Sequence, residues 1–128
     1  MFKEKLGVNV VKKVLIVDDQ VGIRVLLQEV LKKEGYDICV AGSGIEALEK
    51  LNTQSFDALL IDMKLPGMTG VEVLEQLGDK RLHMHLMLMT AYGENALIER
   101  AKSLGVHHFF TKPFNIHEVR ETVNNLLK

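Results

Sequence analysis

Val14-Leu15-Ile16-Val17-Asp18-Asp19 decides the fold: four apolar residues in a row, then two carboxylates. An unbroken apolar run of that length suits a parallel strand buried on both faces. The pattern repeats along the chain. Runs at Lys13–Val17, Asp37–Ala41, Ala58–Ile61, Leu86–Met89 and His107–Thr111 alternate with longer amphipathic stretches. Val21–Lys33 carries Val25, Leu26, Val30 and Leu31 as one expected apolar stripe, with Gly35 as its stop signal. Ile45–Leu51 offers Ile45, Leu48 and Leu51, and Val71–Leu77 offers Val71, Leu74 and Leu77. Leu97–Leu104 and Ile116–Leu127 complete five helical stretches. Strand–helix alternation at this spacing predicts an open α/β fold, a doubly wound parallel sheet with right-handed crossovers. The chain reads as a lead-in segment over residues 1–12 and one domain over residues 13–128.

Sites in open α/β sheets form at the carboxyl ends of strands, near the point where strand order reverses. The residues after each run therefore matter most. Asp18 and Asp19 follow the first run, Asp62 the third; Thr90 ends the fourth, and Lys112-Pro113 ends the fifth. The second run ends in Ala41-Gly42-Ser43 without a charge. Any one of these groups alone is an ordinary solvated strand cap. Their shared phase relative to the strands is the signal. Three carboxylates brought together repel one another unless a cation sits among them. Hard oxygen donors at a partly hydrated site suit Mg²⁺. A carboxylate can also attack phosphorus, while a lysine and a threonine hydroxyl stabilise the transferring phosphoryl group.

Composition narrows the function classes. The chain has 128 residues, 47% hydrophobic and 26% charged, with a formal net charge of −1. That balance offers no global field for nucleic acid or anionic membrane, so no direct nucleic-acid binding is expected. No apolar run approaches the ~20 residues of a membrane span. The opening Met1-Phe2-Lys3-Glu4-Lys5 has no signal-peptide core, which predicts a cytoplasmic protein. The single Cys39 excludes an internal disulfide and reads as core.

Taken in order, Val17-Asp18-Asp19, the run from Asp62-Met63-Lys64-Leu65-Pro66-Gly67 to Gly70, Met89-Thr90-Ala91 and Lys112-Pro113-Phe114 resemble the receiver domain of bacterial response regulators. The resemblance covers residues 12–128. It implies the flavodoxin-like fold, a five-stranded sheet in the order 2-1-3-4-5. It implies Asp62 as phosphoacceptor, Asp19 as a direct Mg²⁺ ligand and Asp18 acting through coordinated water. The backbone carbonyl of Lys64 would complete the protein's share of the shell. Thr90 and Lys112 would contact the phosphoryl group, and the Lys112–Pro113 bond would be cis. Phe109 stands where many relatives carry an aromatic switch, but it lacks a tyrosine hydroxyl, leaving a steric readout. Such a domain is no enzyme acting on others. It catalyses only its own phosphorylation and dephosphorylation.

Asp18-Asp19-Gln20, Gly22-Ile23-Arg24, Lys33-Glu34-Gly35-Tyr36 and Met89-Thr90-Ala91-Tyr92-Gly93-Glu94 carry a narrower resemblance, to single-domain response regulators of sporulation phosphorelays. That subgroup carries a histidine where Phe109 stands; here His107 and His108 precede it. The implied partners are a sensor histidine kinase that loads the aspartate and a histidine phosphotransferase that removes the phosphate, with a monomer expected. The implied partner face is Gln20, Val21, Ile23, Arg24, Pro113 and Phe114, with Ile23 an exposed anchor off the apolar stripe. The chain ends at Asn125-Leu126-Leu127-Lys128, as a stand-alone relay domain would, and as a receiver cut from a longer regulator would.

The alternatives are a stand-alone switch that binds a target protein, a receiver fragment of a DNA-binding regulator, and a phosphatase with an aspartyl nucleophile. The last expects an acid–base aspartate two residues after the nucleophile, where Lys64 stands. Two other signals are weak. Gly42-Ser43-Gly44-Ile45-Glu46-Ala47 has the outline of a dinucleotide fingerprint, but it lies in the second turn and reads as a helix start with Ser43 as N-cap. His83 and His85 lack convergent further ligands and read as surface residues, while Met84, Met87 and Met89 read as core.

Overall fold

The computed structural model describes residues 10–128, so the expected lead-in over residues 1–12 lies mostly outside the described residues. Five strands form one parallel sheet: β1 (Lys13–Val17), β2 (Asp37–Ala41), β3 (Ala58–Asp62), β4 (His85–Thr90) and β5 (His108–Thr111). Their order is β2-β1-β3-β4-β5. Five helices connect them: α1 (Val21–Lys33), α2 (Gly44–Thr53), α3 (Gly70–Leu77), α4 (Asn95–Ser103) and α5 (Ile116–Leu127).

Alternation within the strands splits the core in two. Val14, Ile16, Leu60, Met87 and Met89 face α1 and α5, packing on Leu27, Leu31, Val119 and Val123. Leu15, Val17, Leu59, Ile61 and Leu88 face α2, α3 and α4, packing on Ala47, Leu51, Leu74 and Ala101. β1 is fully buried from Val14 to Val17, which is why its sequence needs no polar alternation. Cys39 is half-buried against the second of these clusters.

Helix ends follow local chemistry. Ser43 Oγ accepts from the Glu46 amide at 3.1 Å, the N-cap read from the sequence. Thr69 and Glu72 form a reciprocal capping box at α3. Gly35, at φ +95°, ends α1 in the left-handed region that a side chain would resist.

Two helix faces differ from the expected stripes. In α1 the buried line is Leu27 and Leu31, with half-buried Ile23 one turn before them; Val25 and Leu26 are 48% and 43% exposed. Ile23 is thus on the core line, not off it. In α2 the buried face is Gly44, Ala47 and Leu51, and Ile45 is exposed. Two short elements carry no periodic signal in the sequence: the hairpin Lys64–Leu65/Met68–Thr69 and the 3₁₀ turn Gly78–His83. Met87 and Met89 are buried, Met84 is half-buried, and His83 and His85 are exposed.

Candidate functional site

Four strand ends converge on one edge of the sheet. Asp18 follows β1, Asp62 closes β3, Thr90 closes β4 and Lys112 follows β5. The order reverses between β1 and β3, where a crevice opens in a doubly wound sheet.

Asp18 is completely buried, and its polar atoms are held from four directions. Its N–H donates to the Ala41 carbonyl at 3.1 Å. Its Oδ1 accepts from the Gln20 amide at 2.9 Å, and its Oδ2 accepts from Lys112 Nζ at 2.7 Å. Its carbonyl accepts from Arg24 Nη1 at 2.7 Å. A buried charge without such partners would be costly, and this one has a full set. Lys112 Nζ also lies 3.3 Å from Asp62 Oδ2. The Lys112 amide donates to the Thr90 carbonyl at 2.7 Å, fastening the end of β5 to β4. The Lys112–Pro113 bond is cis, as expected.

Asp62 is buried, and burial raises its pKa above the ordinary aspartate value. Lys112 pulls it down, but the neighbouring charges of Asp18 and Asp19 add to the rise and the net direction is up. For Lys112, burial favours the neutral amine, yet its hydrogen bond to Asp18 and the charges of Asp62 and Asp18 outweigh burial and hold the ammonium above its usual pKa. The site therefore holds one fixed cation among more than one carboxylate.

One carboxylate oxygen each from Asp18, Asp19 and Asp62 lies within 4.8 Å of the others. Asp19 is exposed, so the cluster opens to solvent. Three hard oxygen donors, one lysine and an aspartate pushed toward protonation fit a hard divalent cation that keeps water in its shell.

Asp62 is set by close backbone packing. The Met63 amide donates to the Met89 carbonyl at 2.8 Å, and the Gly70 amide donates to the Met63 carbonyl at 2.7 Å. A Cβ on Gly70 would stand 2.6 Å from the Asp62 carbonyl oxygen, so the first turn of α3 reaches Asp62 only because Gly70 has no side chain. Thr90 is buried, 2% exposed, at the end of β4.

Residues 14–124 match the model of the response regulator receiver domain. The chain belongs to that family. The receiver domain is 45% identical over 116 residues to sporulation initiation phosphotransferase F of Bacillus subtilis, covering 91% of this chain and 94% of that protein. It is 38% identical over 117 residues to the alkaline phosphatase synthesis transcriptional regulatory protein PhoP of Bacillus subtilis, spanning 91% of this chain but only 49% of that one. Among solved structures, a CheY-like receiver domain protein of Methanospirillum hungatei matches with a TM-score of 0.86 at 30% identity, covering 91% of this chain and 93% of that one. The chemotaxis response regulator CheY4 of Vibrio cholerae matches at 0.83 and 28% identity, covering 92% and 100%.

The receiver domain places the remaining candidates as follows. Phe109 pairs with Leu88 across β5 and β4 and is half-buried against the α2–α4 side of the core. Gln20, Ile23, Pro113 and Phe114 line an open depression of about 430 Å³ beside Lys112, together with Leu26. Val21 lies at the start of α1 and is 62% exposed. Arg24 turns its guanidinium to the Asp18 carbonyl. Lys64 begins the hairpin after Asp62; its side chain is exposed and its Nζ is 3.7 Å from Glu94 Oε2. Glu94 enters the sequence reading only as the last residue of the Met89–Glu94 stretch, with no role assigned to it. It is buried, its Oε1 accepts from the Ala91 amide at 2.6 Å, and its Oε2 has no hydrogen-bond partner among the described residues. Among those residues no helix is long and apolar enough to cross a membrane.

Proposed function

We propose that this receiver domain is the phosphate-carrying member of a phosphorelay, with residues 13–128 as its working unit. Asp62 takes a phosphoryl group from the phosphohistidine of a sensor kinase and yields it to a histidine phosphotransferase. The observation that carries the reading is the triangle of Asp18, Lys112 and Asp62, with Lys112 Nζ 2.7 Å from one carboxylate and 3.3 Å from the other. The 45% identity to sporulation initiation phosphotransferase F, across nearly the full length of both chains, supports the relay role.

In the forward step an Asp62 oxygen attacks phosphorus, and the P–N bond to histidine breaks as the P–O bond forms. The histidine leaves as imidazole, taking a proton from water, and Asp62 becomes an acyl phosphate. Lys112, already bonded to Asp18, is poised to pair with the phosphoryl oxygens, and the Thr90 hydroxyl donates to one of them. Asp18, Asp19, Asp62 and the Lys64 carbonyl are the residues that would hold Mg²⁺. Bound there, Mg²⁺ supplies positive charge to the phosphoryl oxygens. Phe109, two positions from Thr111 on β5, is the steric element that answers a movement of Thr90. The domain catalyses this transfer on itself alone and works in the cytoplasm as a monomer.

The docking face is α1 with the β5–α5 turn: Gln20, Val21, Pro113 and Phe114, with half-buried Ile23 lining the depression between them and Arg24 turned inward to the Asp18 carbonyl. The depression lined by Gln20, Ile23, Leu26, Pro113 and Phe114 lies against Lys112, where a partner's histidine would have to approach. The relay is tested by incubating the labelled phosphoprotein with a histidine phosphotransferase. Label appearing on the partner's histidine faster than it is lost to water is the expected result; hydrolysis alone would leave a terminal switch.

A further inference from the structure

Arg24 belongs by sequence to the partner face, yet its guanidinium is committed inward. Nη1 donates to the Asp18 carbonyl at 2.7 Å, reaching from α1 back to the end of β1. The same guanidinium lies over Gly42 at the end of β2. A Cβ built on Gly42 would stand 3.0 Å from Arg24 Nη1 and 3.5 Å from Cζ. Gly42 has an ordinary backbone, so its missing side chain serves space and not a turn. The Gly42 amide is in turn fixed by Glu46 Oε1 at 2.7 Å, from the first turn of α2. Arg24 thus occupies a slot between two strand ends, with its floor held in place by a third element.

We propose that Arg24 is a positioning residue of the cation site, holding the Asp18 backbone so that the Asp18 and Asp19 carboxylates face Asp62. The slot over Gly42 is part of the same device. The inference rests on the reading of Asp18, Asp19 and Asp62 as Mg²⁺ ligands. Arg24 does not touch the cation or phosphate; it acts through the peptide that carries Asp18. The other bonds of Asp18 leave it this role. Its N–H is held by Ala41 and its carboxylate by Gln20 and Lys112, but Arg24 is the side chain that holds its carbonyl.

Electrostatics and positioning predict opposite signs, which makes the proposal decidable. Arg24 is a cation near a divalent-cation site, so charge alone predicts that removing it tightens Mg²⁺ binding. Positioning predicts that removing it weakens binding. Gly42→Ala changes no charge and leaves Arg24 in the chain, but its Cβ would stand 3.0 Å from Nη1, so the guanidinium must shift by a few tenths of an ångström within the slot.

The experiment is a titration with Mg²⁺ alone, followed by amide NMR shifts, of the wild type, Arg24→Ala, Gly42→Ala, the double variant and Asp19→Asn. Loss of an outer partner of a metal ligand costs about tenfold or more in affinity, and about tenfold is expected for Arg24→Ala. Gly42→Ala should weaken binding in the same direction, and the double variant should be no weaker than Arg24→Ala, since both changes act through one contact. Unchanged or tighter binding in Arg24→Ala overturns the proposal, as does an additive double variant. If Asp19→Asn binds Mg²⁺ as the wild type does, the cation site itself was misread, a separate failure.

Discussion

Lys112 and Asp18 form the tightest ion pair of the site, 2.7 Å apart, with Asp18 completely buried and Lys112 half-buried. The ammonium is nearer to Asp18 than to Asp62, at 3.3 Å. Lys112 thus pairs with Asp18 first and stays within reach of Asp62.

Lys112→Met removes the ammonium bonded to Asp18 Oδ2. It leaves a buried carboxylate without its cation, which costs about 3 kcal/mol. Denaturant unfolding at pH 7 should show that loss. An unchanged midpoint would mean that water replaces the ammonium freely.

Asp62→Asn should stabilise the fold in Mg²⁺-free buffer at neutral pH. Asp62 has a folded-state pKa raised above its unfolded value, chiefly by burial, so its ionised form is penalised in the native state. The penalty is in force above the folded pKa. It fades as pH falls and both states take up the proton, near the ordinary aspartate value of about 4. Thermal melts across that range should show a higher Tm for the variant at pH 7 and a shrinking difference toward pH 4. A destabilised variant at pH 7 would contradict the sign.

Gly70→Ala tests the packing that sets Asp62. Its Cβ would lie 2.6 Å from the Asp62 carbonyl oxygen, a backbone atom that cannot swing aside. Overpacking of this kind costs about 2 kcal/mol. Acceptor loading from a small phosphodonor should slow as well, because relief of the clash moves either α3 or Asp62.

Glu94→Ala should free the turn after Thr90. Glu94 Oε1 accepts from the Ala91 amide at 2.6 Å and closes that turn. Loss of one such bond, worth about 1.4 kcal/mol, should speed hydrogen exchange at Ala91 about tenfold. Exchange at the wild-type rate would show that the turn is held by other contacts.

The fold is largely legible in the sequence because its strands are buried on both faces. Val14 to Val17 and Ala58 to Ile61 read as strands without help from periodicity, and their polar ends mark the site. α1 is harder. Val21, Ile23, Val25, Leu26, Leu27, Val30 and Leu31 put apolar groups around most of its circumference, so spacing alone cannot choose the Leu27–Leu31 face. The exposed Val25 and Leu26 read as core for that reason. The hairpin at Lys64–Thr69 has two residues per strand, too few to carry a period. Asp18, Asp62, Thr90 and Lys112 are legible because strand phase alone assigns them to one edge. The site roles of Arg24, Glu94 and Gly70 are not. Each acts on a backbone atom that only the folded chain brings near: the Asp18 carbonyl, the Ala91 amide and the Asp62 carbonyl.

Trapping the acyl phosphate identifies the carboxylate that takes the phosphoryl group. The protein is loaded by a phosphohistidine donor with Mg²⁺, the acyl phosphate is trapped by borohydride reduction, and the modified peptide is sequenced by mass spectrometry. Modification at position 62 alone, absent in Asp62→Asn and absent without Mg²⁺, is the expected result. Modification at Asp18, Asp19 or a histidine, or label persisting in Asp62→Asn at the wild-type level, would contradict it.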